Sequence, residues 1–243
     1  MSARTRELFS LIVVGVLVGT AFASVYIARQ EVVSTESLSY GLFFLGLYVA
    51  AHVVTRIAVP RADPYLLPMA GLLTGIGLTE IYRLDEDEAF RQGLWIVIGL
   101  VAFAGTLLAL RRDYRRLESY KYLFGISAVV LLLLPSVPGL GHRVNGVKLW
   151  VKVGGLQFQP GELSKIFLII FLAGYLRDKR EALAQGRLKD FGPLLLIWGA
   201  AMLVLVQTND LGSALLQFGI FLAMLYVATA RAAYALAGLA LFV

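Results

Sequence analysis

A glutamate and a lysine three residues apart, Glu162 and Lys165, follow the run Gln159-Pro160-Gly161. Pro160 suits the first turn of a helix, where its missing N–H costs nothing. Glu162 then lies near the positive end of the helix dipole, which favours an anion. Residues three apart share a helix face, so the two can pair. The plain reading is a helix start with a local ion pair. The chemical reading is a carboxylate and an ammonium held at the mouth of a cavity, near where a diphosphate would lie.

Two neighbouring stretches could serve the same chemistry. Between His142 and Pro160, Val147, Leu149, Val151 and Val153 alternate with Lys148, Trp150 and Lys152. This period of two predicts an extended or interfacial segment with one apolar face. Trp150 would sit at headgroup level, and Lys148 and Lys152 would face phosphates of lipid or ligand. Further on, Gln207-Thr208-Asn209-Asp210 interrupts a long apolar region. Asn209 or Asp210 makes a good helix N-cap. A tight hairpin needs only one or two of these four polar residues, which leaves room for a functional carboxylate at Asp210.

The elements that must position these residues are membrane spans. Of 243 residues, 59% are hydrophobic and 16% charged, against about 25% charged in an ordinary soluble domain. Mean hydropathy is +0.78. A soluble globular enzyme and a disordered chain are both excluded. The absence of cysteine removes disulfides and thiolate chemistry, and two histidines make a His-rich metal site improbable.

The expected fold is an all-α, polytopic transmembrane bundle. Apolar runs lie near 8–28, 38–59, 65–82, 90–110, 121–141, 161–176, 191–208 and 211–230, eight complete spans of the usual length. A ninth run starts at Ala232 and is still apolar at Val243. As a helix those residues reach about 18 Å, against about 30 Å of hydrocarbon, so a longer parent protein is expected. Arg4, Arg6 and Ala21-Phe22-Ala23 share the layout of a cleavable signal. The apolar run continues to Ala28, longer than a usual signal core, which favours an uncleaved first span.

Charge sets the orientation. With the N-terminus in the cytoplasm, only Arg29, Arg83, Arg91, Arg143, Lys148, Lys152 and Lys165 of the 22 lysines and arginines fall outside. That bias obeys the positive-inside rule and accounts for the net charge of +6 without nucleic acid. Glu80, Glu162, Lys165 and Asp210 then all sit at the outer level. His52 alone lies well inside a span, as expected of a packed or hydrogen-bonded histidine. A polar layer at one surface fits work done there, rather than at the midplane, where transporters place substrate.

Three segments carry a resemblance: Asn145-Gly146-Val147-Lys148-Leu149-Trp150, Phe158-Gln159-Pro160-Gly161-Glu162-Leu163-Ser164-Lys165, and Asn209-Asp210-Leu211-Gly212-Ser213-Ala214. In order and separation they resemble the NGA(K/R)xW, FQP(S/G)E(L/F)xK and DLG(T/S)A patterns of the SEDS family, the shape, elongation, division and sporulation proteins of the RodA and FtsW type. The resemblance covers roughly residues 65–243, the front of the polymerase core. Residues 1–64 look like the extra N-terminal helix pair of some actinobacterial-type members. Gly161 replaces the commoner serine, and Gln207-Thr208-Asn209 departs from the Gln-Pro or Gln-Arg that often precedes the aspartate.

The resemblance implies a peptidoglycan glycosyltransferase in the bacterial cytoplasmic membrane. Such a protein polymerises glycan strands from lipid II at the outer leaflet, in elongation or division, beside a class B penicillin-binding transpeptidase. It also implies roles by position. Lys148, Trp150, Gln159, Glu162 and Lys165 would bind substrate, and Asp210 and Glu162 would support catalysis. The family's principal aspartate belongs to a later outer loop, so these 243 residues alone are expected to be inactive. The departing diphosphate needs cations, either side chains or a divalent metal ion. The alternatives are a lipid II flippase and a noncatalytic scaffold of the wall-synthesis complex.

Overall fold

The computed structural model describes residues 2–30, 35–144, 146–153 and 156–242. Asn145 of the first motif therefore lies outside the described residues. The chain packs as two units, residues 1–114 and 115–243.

The first unit holds four helices: α1 (Ala3–Gln30), α2 (Thr35–Ala58), α3 (Leu66–Leu84) and α4 (Glu86–Leu110). Pro60 and Pro64 end α2 and force the turn before α3, where the Asp63 carboxylate accepts from the Tyr65 N–H at 2.8 Å. The acidic run at 85–88 is a helix start. Asp85 caps α4 by accepting from the Glu88 N–H at 3.0 Å, and Glu86, Asp87 and Glu88 occupy the first turn, where the dipole favours them. Small residues let the helices close in. A Cβ on Gly75 of α3 would meet Val18 of α1 at 2.2 Å, and one on Gly15 of α1 would meet Leu45 of α2 at 2.7 Å. Around these contacts Leu11, Val18, Phe22, Phe44 and Tyr48 form the core.

His52 is buried and hydrogen-bonded, as the sequence led one to expect. Its partner is Glu7, whose Oε1 lies 2.6 Å from Nδ1. Arg4 donates to the other oxygen of Glu7 and to the carbonyl of Ala62. This buried Arg4–Glu7–His52 cluster lies at the N-terminal end of α1, so the polar groups are not confined to one surface.

The second unit begins with α5 (Arg116–Ser119) and α6 (Lys121–Leu133), closed by a single 3-10 turn at Leu134–Ser136. The apolar run of 121–141 therefore stops being helical near Ser136, because Pro135 and Pro138 cannot continue a helix. A three-stranded antiparallel sheet follows: β1 (Gly141–Val144), β2 (Val147–Val153) and β3 (Leu156–Phe158), in the order β1-β2-β3. The fold is mostly helical, and the all-α expectation is amended by this sheet, at the place read as extended.

After the sheet come α7 (Pro160–Ala184), a 3-10 turn (Leu188–Phe191), α8 (Gly192–Gln207), α9 (Leu211–Thr229) and α10 (Ala232–Phe242). Phe171, Leu172 and Tyr175 of α7 pack with Leu194 and Ala201 of α8 and Phe221 and Leu225 of α9. Trp198 stacks on Phe221 with ring centres 4.4 Å apart.

Among the described residues five helices are both long and apolar enough to cross a membrane: Ala3–Ala28, Gly41–Ala58, Glu86–Leu110, Lys189–Gln207 and Leu211–Thr229. Large apolar side chains face outward along them. Val101 is 67% exposed, Leu196 72% and Val227 77%. A water-facing surface would not carry such a belt; hydrocarbon accounts for it. The chain is a helical, multi-pass membrane protein.

Candidate functional site

The sheet is a hairpin extended by one strand. Val144 pairs with Val147 across the turn, and Gly146 adopts φ +84°, open to glycine at little cost. His142 lies opposite Trp150, and Lys152 opposite Gln157. Directly opposed residues share a face, so Trp150, His142, Lys152 and Gln157 present one side of the sheet. Lys148, two residues from Trp150, starts on the same face, but its Cε reaches Gly141, the residue opposite Val151. Val151 on the other face is buried.

Gly141 ties this sheet to the 3-10 turn that closes α6. A Cβ there would stand 1.8 Å from the carbonyl oxygen of Pro135 and 2.4 Å from Cε of Lys148. The stem of Lys148 thus runs over Gly141, and the strand presses against the 3-10 turn that closes α6.

Gln159 is the N-cap residue of α7 and Pro160 its first residue. The Gln159 side chain makes no cap bond; its carbonyl accepts from the Glu162 N–H at 3.1 Å. Glu162 and Lys165 do pair, at 2.7 Å. The lysine side chain is 18% exposed and the carboxylate 61%, so the ammonium is held from below and the carboxylate stands in the open. Between them Ser164, fully buried, donates to the Ala128 carbonyl of α6 at 2.8 Å. A Cβ on Gly161 would meet only ordinary contacts, the nearest being Leu132 at 3.7 Å. The departure from serine is therefore sterically free.

Asp210 is the N-cap of α9, accepting from the Ser213 N–H at 3.1 Å through Oδ1. Oδ2 has no hydrogen bond among the described residues. The polar run before it is also spent on the turn. The Asp210 N–H donates to Leu205 at 2.9 Å and the Asn209 N–H to Val206 at 3.1 Å. With Asn209 at φ 57°, this is a Schellman closure of α8. Thr208 bonds the Val204 carbonyl at 2.9 Å. More of the run has a structural job than a tight hairpin was expected to need.

The starts of α7 and α9 lie at one end. Ala173 and Ala223 line the same cleft, each roughly a dozen residues, or about 18 Å, from its helix start. The two helix starts are thus at matching distances along the chain from the shared cleft. Each start carries candidate site residues, Glu162 and Lys165 on α7 and Asp210 on α9. No hydrogen bond or ion pair joins them among the described residues. Two helix N-termini make this end attractive to an anion.

Glu80, expected at the same outer level, forms an exposed local pair with Arg83 at 2.8 Å. Among the described residues no three His, Asp or Glu side chains gather to hold a metal ion; the cations this region offers are Arg143, Lys148, Lys152 and Lys165. Gln217 is a residue that sequence reasoning missed. It is buried in α9, with neither amide atom hydrogen-bonded among the described residues. A lone amide within Leu215-Leu216-Gln217-Phe218 was the available signal.

Residues 64–243 match the pattern of the cell cycle protein family of FtsW, RodA and SpoVE. This chain belongs to that family. Within the family it is similar to the RodA of Mycobacterium tuberculosis, named a peptidoglycan glycosyltransferase. The two are 35% identical over 98% of this chain and 55% of the relative. It is also 31% identical to an FtsW of Geobacter metallireducens, over 73% of this chain and 49% of that one. A solved chain from a peptidoglycan synthase complex that coordinates polymerization and crosslinking superposes with a TM-score of 0.51 at 26% identity. That match covers 83% of this chain and 51% of the other. The chain spans about half the length of the curated relatives it matches. Membership agrees with the resemblance drawn from the three motifs.

Proposed function

We propose that this chain serves a peptidoglycan glycosyltransferase that polymerises glycan strands from lipid II at the outer leaflet of the cytoplasmic membrane. The observation that carries the reading is the 35% identity to RodA peptidoglycan glycosyltransferases over nearly the whole chain. The topology proposed with it has eight complete spans and a cytoplasmic N-terminus, so the starts of α7 and α9 face outward. Residues 65–243 form the front of the polymerase core, and 1–64 an added helix pair.

In the reaction a sugar hydroxyl of one lipid II attacks the anomeric carbon of a lipid-linked glycan and undecaprenyl diphosphate leaves. Lys165, seated on Glu162, is assigned to the diphosphate, where a fixed ammonium can meet developing charge. Lys148, Trp150 and Gln159 are assigned to the headgroup sugars and phosphates. Glu162 and the free Oδ2 of Asp210 are assigned supporting roles, and the principal base to no residue among 1–243. A class B penicillin-binding transpeptidase is the proposed partner, in keeping with the crosslinking activity named for the structural neighbour.

A flippase would need a polar path along the spans, and a scaffold would need no anion site; no specific observation favours either. The test is lipid II in detergent with the full-length protein and its partner. Glycan polymer is expected. Its absence where a related polymerase works would overturn the reading.

A further inference from the structure

A second site lies at the far end of the same two helices. Ala173, Arg177 and Arg180 follow one another along one face of α7. Ala223, Met224 and Ala228 of α9 stand opposite, and the space between is an open cleft of about 440 Å³. The alanines are what leave it unfilled. The cleft is apolar toward Ala173 and Ala223 and carries two guanidinium groups toward Arg180. The span of α7 read from the sequence ends at 176, while the helix runs on to Ala184. The apolar part thus lies at acyl depth and the arginines at headgroup depth.

The acids around the arginines are mostly committed. Glu118 pairs with Arg177, Asp178 with Lys121, and Asp190 with Lys179. Arg180 has no carboxylate partner among the described residues. A guanidinium fork takes two phosphate oxygens at once, and basic recesses between spans on the cytoplasmic side suit anionic headgroups. We infer that this cleft binds one anionic phospholipid of the inner leaflet. The acyl chain lies between Ala173 and Ala223, and the phosphate is held by Arg180 with Arg177. The inference rests on the charge-assigned orientation, not on the polymerase reading, so loss of either leaves the other standing.

The test is native mass spectrometry of the full-length protein, delipidated and then titrated with dioleoylphosphatidylglycerol or dioleoylphosphatidylcholine. The wild type should keep one phosphatidylglycerol in preference to phosphatidylcholine. Arg180→Gln should lower that retention about fivefold, the effect of about 1 kcal/mol for one basic residue at a membrane surface. Ala223→Leu, which fills the cleft, should lower it at least as far, and Arg112→Gln should not change it. Circular dichroism melts confirm that the variants are folded, and Arg180 is exposed, so its loss should not unfold the protein. Equal retention of the two lipids, or undiminished retention in Arg180→Gln, would overturn the assignment. So would loss of the lipid on adding the transpeptidase partner, since the cleft would then be a seat for a protein helix.

Discussion

The Ser164 hydroxyl donates to the Ala128 carbonyl at 2.8 Å, in full burial, in the same turn of α7 as Glu162 and Lys165. This bond fastens to α6 the turn of α7 that carries the Glu162–Lys165 pair. It makes the pair's position a property of the helix packing rather than of a loop. Ser164→Ala should cost about 0.5–1.5 kcal/mol, the net worth of one buried hydrogen bond. Thermal melting of the detergent-solubilised protein checks this; an unchanged midpoint would show that the bond does not hold α7.

Two glycines beside the site should respond in opposite ways. Gly141→Ala drives a methyl to 1.8 Å from a backbone oxygen, so strand or helix end must shift. Overpacking of this kind costs about 1–3 kcal/mol. Gly161→Ser adds a side chain where the nearest atom is 3.7 Å away, and should leave melting and activity unchanged.

Gln217 offers a test of the opposite sign. A buried amide without partners costs about 1–3 kcal/mol, so Gln217→Leu should raise the melting midpoint. A lowered midpoint would mean that the amide is satisfied in the folded protein.

The basic end of α7 carries a pH signature. The Lys121 ammonium, bonded to Asp178, holds that carboxyl below the usual range against opposing desolvation; Glu118 and Arg177 add to the lowering. A depressed folded value means that the stabilisation is present above the unfolded value of about 3.9 and is lost as pH falls through the folded one. The melting gap between wild type and Asp178→Asn should therefore stay constant from pH 7 to pH 5 and shrink below about pH 4.

What could be read from the sequence follows from local signals. The start of α7 was legible because Pro160 and Glu162 sit where a helix N-terminus wants them. The long strand β2 was legible from its period of two. Its partners were not, since β1 has four residues and β3 three, too few to show alternation. The end of α6 was overread because the apolar run crosses Pro135 and Pro138 with only Ser136 as a polar residue between them. The cap at Asp210 was anticipated, but the Schellman closure by Asn209 shows only in the backbone. The Arg4–Glu7–His52 cluster was hidden for a different reason. Glu7 and His52 are 45 residues apart in sequence, and Glu7 stands just outside the first apolar run, where it reads as an ordinary flanking charge.

The central claim is that the outer end of α7 serves glycan polymerisation, and Glu162→Gln tests it most directly. The substitution keeps the shape and removes the charge that seats Lys165. In full-length protein bound to the proposed transpeptidase partner, the initial rate of lipid II polymerisation should fall at least tenfold, about 1.4 kcal/mol in the barrier, with the melting midpoint unchanged. A folded, partner-bound Glu162→Gln protein that polymerises lipid II at the wild-type rate would contradict the account.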